Sequence, residues 1–272
     1  MLPWRVVVRL LAAVLALTGL AACSTQDQGA NTDSDQVDSV EVPKNGVCRE
    51  LTPDDVAQPA NATKTVACSM QHTAETYAVG ELPAEFDDVK YDDDDLAKFA
   101  YQTCSTAFAK FVGADESVVL RTQVSWAWFR PSKEAWDKGA RWYRCDVVGG
   151  NSASDSYRPL PETAKAMLAG RPKDTWLICE RGARLGEGEK VPCSQKHDWR
   201  AVTTVKIGEP ADAYPGDQVM ESRTGSFCKT SVQAWLGYPA TFEVEGHQYV
   251  AVATGFWLAD SFTPELIHGR QN

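Results

Sequence analysis

One constellation occurs twice in this chain, and it limits the fold more than any other feature. Val66-Ala67-Cys68-Ser69-Met70-Gln71-His72 returns as Val191-Pro192-Cys193-Ser194-Gln195-Lys196-His197. Each copy is preceded by another cysteine, in Gly46-Val47-Cys48 and in Leu177-Ile178-Cys179. Each is followed, at nearly the same distance, by a third, Cys104 and Cys228. The third cysteine stands in a segment that closes on glycine, Phe111-Val112-Gly113 in one half and Trp235-Leu236-Gly237 in the other. An ordered recurrence of this kind marks two copies of one supersecondary unit. The expected domains are residues 46–148 and 174–272, with 149–173 as a linker.

Local patterning supplies the elements. Thr63–Ser69 and Thr73–Leu82 are rich in Val, Thr and Tyr and bounded by turn residues, as strands are. Leu96–Val112 carries Leu96, Phe99, Ala100, Cys104, Ala107, Phe108, Phe111 and Val112 at helical spacing. Asp95 is its expected N-cap and Gly113 its stop. The acidic run Glu85–Asp95 suits the positive N-terminal end of that helix. Thr122–Arg130 and Ala140–Val148 read as strands, with Trp126 and Trp128 on one sheet face. Pro161–Gly170 reads as a short helix, and Asp198–Gly208 as the counterpart of the strand Thr73–Leu82. The fold class is α+β: two related small domains, each a mostly antiparallel sheet packed on one helix and tied by disulfides.

The N-terminus fixes an address. Arg5 and Arg9 precede an apolar run ending in Leu20-Ala21-Ala22-Cys23. A positive start, a short apolar core and small residues are the grammar of a secretory signal. With a cysteine after the small pair, the stretch resembles a bacterial lipobox. That implies residues 1–22 as a signal peptide, cleavage before Cys23, and acyl lipid on its sulfur. The run is far shorter than the ~20 residues that span a bilayer. Residues 23–45 then read as a lipidated disordered tether, since they hold no aromatic residue and no period. The expected location is the outer face of the cytoplasmic membrane. Two or three acyl chains at ~0.8 kcal/mol per buried methylene hold a protein there firmly.

Setting Cys23 aside leaves Cys48, Cys68, Cys104, Cys145, Cys179, Cys193 and Cys228, an odd set in a compartment that favours disulfides. The run Trp136-Asp137-Lys138-Gly139-Ala140-Arg141-Trp142 leads into the strand of Cys145, whereas His268–Asn272 stands where a second lead-in belongs. The second domain therefore reads as incomplete, and Cys228, the counterpart of Cys104, as the unpaired cysteine. The pairs proposed are Cys48–Cys68, Cys104–Cys145 and Cys179–Cys193; sequence alone does not fix connectivity.

The segments Cys68 to His72, Cys104, Trp128 to Pro131 and Trp136-Gly139-Arg141-Cys145, with Cys193 to His197 and Cys228 in the second copy, resemble the septum formation domain family. Its members are exported and membrane proteins of high-GC Gram-positive bacteria. The likeness covers residues 46–148 well and 176–272 in part. It implies a link to cell division.

Other chemistries fit poorly. The formal charge of −10 argues against nucleic acid as a partner. A zinc site at either C-S-x-x-H needs three or four ligands, and the further histidines, His247 and His268, lie in the second half alone. A Cys–His nucleophile needs a free thiolate. Asp92–Asp95 lacks the alternation and glycine of an EF-hand loop. No metal, no cofactor and no catalytic residue is expected. Trp136 and Trp142, flanking a turn, form a candidate aromatic binding face. The expected role is that of a lipid-anchored envelope protein, not an enzyme, that binds an envelope protein or cell-wall component as a scaffold. A small-ligand or sugar-binding lipoprotein and an envelope enzyme are the alternatives.

Overall fold

The computed structural model describes residues 37–152, 154–208, 212–235 and 237. The expected signal peptide, Cys23 and the C-terminal residues on which the second domain is expected to be incomplete lie outside the described residues. In chain order the first half reads β1 (Cys48–Arg49), α1 (Pro53–Val56), β2 (Thr65–Val66), β3 (Ala74–Glu81), α2 (Asp94–Val112), α3 (Glu116–Val119), β4 (Ser125–Phe129), α4 (Lys133–Asp137) and β5 (Trp142–Val148). The strands form an antiparallel sheet in the order β2-β1-β3-β5-β4. Its spine is the β3–β5 pair, which runs from Glu81↔Trp142 to Ala74↔Val148 and slips register between Thr76 and Ala78.

Helix α2 covers one face of this sheet. Leu96, Ala100, Cys104, Phe108 and Val112 recur every fourth residue and are fully buried, packing with Tyr77, Trp128, Cys145 and Val147. The N-cap is Asp93 rather than Asp95: its carboxylate accepts from the Asp95 N–H at 3.0 Å. The Asp95 side chain pairs instead with exposed Lys98. Gly113 ends the helix at φ +74°, a left-handed conformation that favours glycine.

Residues 149–173 are not a free linker. Leu160, Ala164 and Leu168 join the core under α2. The Ala166 and Leu168 N–H groups donate to the Phe111 and Val112 carbonyls at 2.8 and 2.9 Å. Those carbonyls belong to the last turn of α2, where no intrahelical partner exists. The Ala164 N–H donates to Glu75. With these donors engaged elsewhere, Pro161–Gly170 forms turns rather than the expected helix.

The second half repeats the start of the first. Strands β6 (Ile178–Arg181), β7 (Glu189–Pro192) and β8 (Trp199–Arg200) lie in the order β7-β6-β8, the counterpart of β2-β1-β3. Cys48 sits opposite Val66 and Glu75, and Cys179 opposite Val191 and Arg200. The strand expected over Asp198–Gly208 is cut to two residues. Its continuation turns toward the first half, where the Val202 carbonyl accepts from Arg121 and the Thr204 N–H donates to Ser117. Helix α5 (Asp217–Trp235) is 19 residues long, as α2 is, and is followed by Gly237 at φ +79°. Around β6 and β7 the core is small: Leu177, Cys179, Val191 and Cys193. No helix among the described residues is long and apolar enough to cross a membrane.

Part of the expected tether is also held in place. The Ser132 N–H donates to the Val37 carbonyl at 2.9 Å, and the Ser132 hydroxyl donates to Asp38 at 2.5 Å. The Trp142 indole N–H donates to the Ser39 carbonyl at 2.9 Å, and Val42 packs on Ala135, Ala140 and Trp142. A buried indole N–H needs an acceptor, and this segment supplies it.

Candidate functional site

The repeated C-S-x-x-H is a cross-linked turn. Disulfides join Cys48 to Cys68, Cys104 to Cys145 and Cys179 to Cys193, with Cα–Cα distances of 5.2, 5.6 and 4.9 Å. These are the pairs proposed from the aligned halves. Cys228 is a free, half-buried thiol. Each histidine closes its turn through Nδ1, His72 onto the Met70 carbonyl at 2.8 Å and His197 onto the Gln195 carbonyl at 2.7 Å. The neighbouring sulfurs, Cys68 and Cys193, are oxidised, so neither pair is a Cys–His nucleophile. Among the described residues no three His, Cys, Asp or Glu side chains are grouped to hold a metal ion.

Trp136 and Trp142 do not form the exposed pair expected of them. Trp142 is fully buried and Trp136 is 4% exposed. The reason lies in Arg141, between them. Its guanidinium lies 4.0 Å from the Trp136 ring and donates to the Trp136 and Ala140 carbonyls at 2.8 and 2.9 Å. It also donates to the Asp87 carbonyl at 2.8 Å, clamping the loop after β3 over α4. Gly139, at φ +97°, makes the turn that this clamp requires. The edge of Trp136 meets Tyr91 at 5.7 Å, and Arg130 lies 4.3 Å from Tyr91 and 5.4 Å from Trp128. Two cations and three rings therefore form one row, from Arg141 through Trp136, Tyr91 and Arg130 to Trp128, each contact a cation–π or edge-on ring pair.

Arg141, Trp136 and Tyr91 of this row line a surface groove of about 510 Å³, with Lys90, Asp92 and Lys133 among its other residues. Its walls carry charges of both signs. Exposed acids continue from it along Asp87, Asp88, Asp94 and Asp95.

On the other face of the sheet lies a network that the sequence reading missed. The Arg144 guanidinium meets the Asp146 carboxylate at 3.0 Å, and the Thr76 hydroxyl donates to it at 2.7 Å. Arg49 donates to the Thr76 hydroxyl at 2.8 Å, and Arg144 donates to the Asn61 carbonyl at 3.2 Å and lies 4.4 Å from the Phe129 ring. All of these polar residues are at most 1% exposed. Burial pulls the Arg144 pKa down to about 10, with Asp146 opposing the shift. A signal was present in the alternation of Trp142–Val148, which sets Arg144 and Asp146 on one face and Cys145 on the other. The network ties β1, β3, β5 and the Asn61 loop together. The second copy has Glu180 in place of Arg49. Its buried carboxylate accepts from the Gly186 and Gly188 N–H groups at 2.7 and 2.8 Å.

No curated protein and no solved structure matches the chain. A family model described as septum formation matches it twice, over residues 9–130 and 119–260. The first match holds the cross-linked turn of Cys68 and the helix cysteine Cys104; the second holds those of Cys193 and Cys228 and also the Trp128 to Pro131 segment. By those two matches, across most of its length, the chain belongs to the septum formation family.

Proposed function

We propose that the chain is anchored by lipid at Cys23 to the outer face of the cytoplasmic membrane. There it acts without catalysis, as a scaffold that binds another envelope protein during septum formation. Family membership gives the coarser part of this reading, a septum-related role in the envelope. The observation that carries the rest is the groove over Trp136, Tyr91 and Arg141. Helix α4 supplies Lys133, Trp136 and Asp137 to that groove, and its N-cap Ser132 holds Val37 and Asp38. The binding surface thus adjoins the point where the chain from Cys23 meets the body. From Cys23 to Val37 the chain spans at most about 50 Å. An aromatic floor under charges of both signs suits a polypeptide segment of mixed charge.

A fluorescent fusion of the full chain tests this. The unaltered protein should ring the membrane and concentrate at the septum, and Cys23→Ala should release it from the membrane. Lys90→Glu combined with Lys133→Glu should stay on the membrane and lose septal enrichment. An even membrane distribution of the unaltered chain, or full enrichment of the groove variant, would overturn the reading.

A further inference from the structure

We infer that the cleft between the two halves is a binding site for a small oxyanion, a phosphate or carboxylate attached to an apolar group. The cleft, of about 190 Å³, is lined by Arg121, Arg171, Arg200, Val118, Leu177 and Trp235, among others. Three arginines line it and no carboxylate is among the described residues of the lining; Asp174, which pairs with Arg200, stands just outside it.

Two of the three cations are fixed before any ligand arrives. Arg121 donates Nε to the Ser117 carbonyl at 2.9 Å and Nη1 to the Val202 carbonyl at 2.7 Å, so both halves hold it. Arg200 is gripped by Asp174 through both of its terminal nitrogens and lies 5.2 Å from the Trp235 ring. Burial lowers the Arg121 pKa; Asp115 opposes this, and the nearby charge of Arg200 adds to it. Arg121 and Arg200 repel one another, and an anion in the cleft offsets the share of their charge that Asp115 and Asp174 leave uncompensated. The planar fork of arginine matches both phosphate and carboxylate, and side chains already ordered lose little entropy on binding. Arg171 is exposed. Trp235 is 49% exposed, a large apolar surface beside the cations. Val118, Leu177 and this indole supply the apolar side of the cleft, which is too small for a polymer segment.

Calorimetric titration of the full chain in detergent, with inorganic phosphate, phenyl phosphate, benzoate and neutral phenol, tests the assignment. Phenyl phosphate or benzoate should bind saturably at millimolar concentration or below, and phenol should not. Which of the two binds more tightly identifies the oxyanion. Arg171→Gln and Arg121→Lys should each weaken binding about tenfold or more, the value of one charged hydrogen bond. Trp235→Ala should erase the preference for phenyl phosphate over inorganic phosphate. Unchanged thermal midpoints serve as the folding control. If no anion saturates, or if both arginine variants bind as the unaltered chain does, the inference fails. Either result leaves the groove around Trp136 untouched.

Discussion

His72 and His197 make the same bond in two places: each sets Nδ1 against the carbonyl oxygen two residues earlier, at 2.8 and 2.7 Å. The surroundings differ. His72 is 1% exposed, whereas His197 is half-buried. His72→Ala leaves a hole at the edge of the first sheet and should cost about 2–3 kcal/mol, while His197→Ala should cost about 1 kcal/mol or less. Urea denaturation of the two variants measures the difference. Equal losses would mean that the turn bond alone matters.

Asp146 balances two buried guanidiniums. Removing one partner from a buried ion pair leaves charge without compensation, at about 3–5 kcal/mol. Asp146→Ala should lose that much. Asp146→Asn, which keeps an acceptor for the Thr76 hydroxyl, should lose less. Denaturant midpoints at neutral pH give the order.

Tyr77 sets an alkaline limit. Its hydroxyl donates to the Cys104 carbonyl at 2.8 Å, and burial, then the charge of Asp146, raises its pKa well above 10. Above pH 10 the unfolded chain releases this proton and the folded chain keeps it. The stabilisation is therefore complete below pH 10 and falls as pH rises, at about 1.4 kcal/mol per pH unit. Tyr77→Phe should be less stable at neutral pH and should lack this part of the alkaline slope. Comparing the variant with the unaltered chain cancels the other titrating groups. Identical slopes would refute the assignment.

The disulfides differ in the loops they close. Cys104 and Cys145 are 41 residues apart, Cys179 and Cys193 only 14. Chain entropy makes the longer closure worth about 1 kcal/mol more. Replacing Cys104 and Cys145 together by Ala should lower stability by more than replacing Cys179 and Cys193. Thermal midpoints under non-reducing conditions test the ranking.

Ser132 holds the segment that leads to the body. Its hydroxyl caps α4 at the Ala135 N–H and also bonds Asp38. Ser132→Ala should cost about 1 kcal/mol, typical of a lost cap. It should also speed limited proteolysis between Val37 and Asn45 while leaving the sheet intact. Unaltered cleavage there would show that Trp142 and Val42 suffice.

The repeat, the helix around Cys104 and the strand identities were legible in the chain, because period and cysteine order are local properties. Leu96, Ala100, Cys104, Phe108 and Val112 announce one buried face whatever lies opposite. The same locality explains the misses. Asp93 and Asp95 are equivalent as caps until the chain direction into α2 is known. Residues 161–170 resemble a helix until the α2 carbonyls take their N–H groups. Trp136 and Trp142 resemble one exposed face until Ser39 and Val42 enclose Trp142 and Arg141 packs on Trp136, leaving it only a place at the bottom of the groove. Charge was the least legible of all. Nothing local in Arg49, Asn61, Thr76, Arg144 and Asp146 shows that they meet beneath a loop, or in Arg121, Arg171 and Arg200 that they share a cleft. By itself the sequence determined the long helix around Cys104, the paired strands beside it in the first half, and that the cysteine framework is duplicated. The tertiary structure alone decided which polar groups lose water together, because desolvation depends on neighbours that only folding brings into contact.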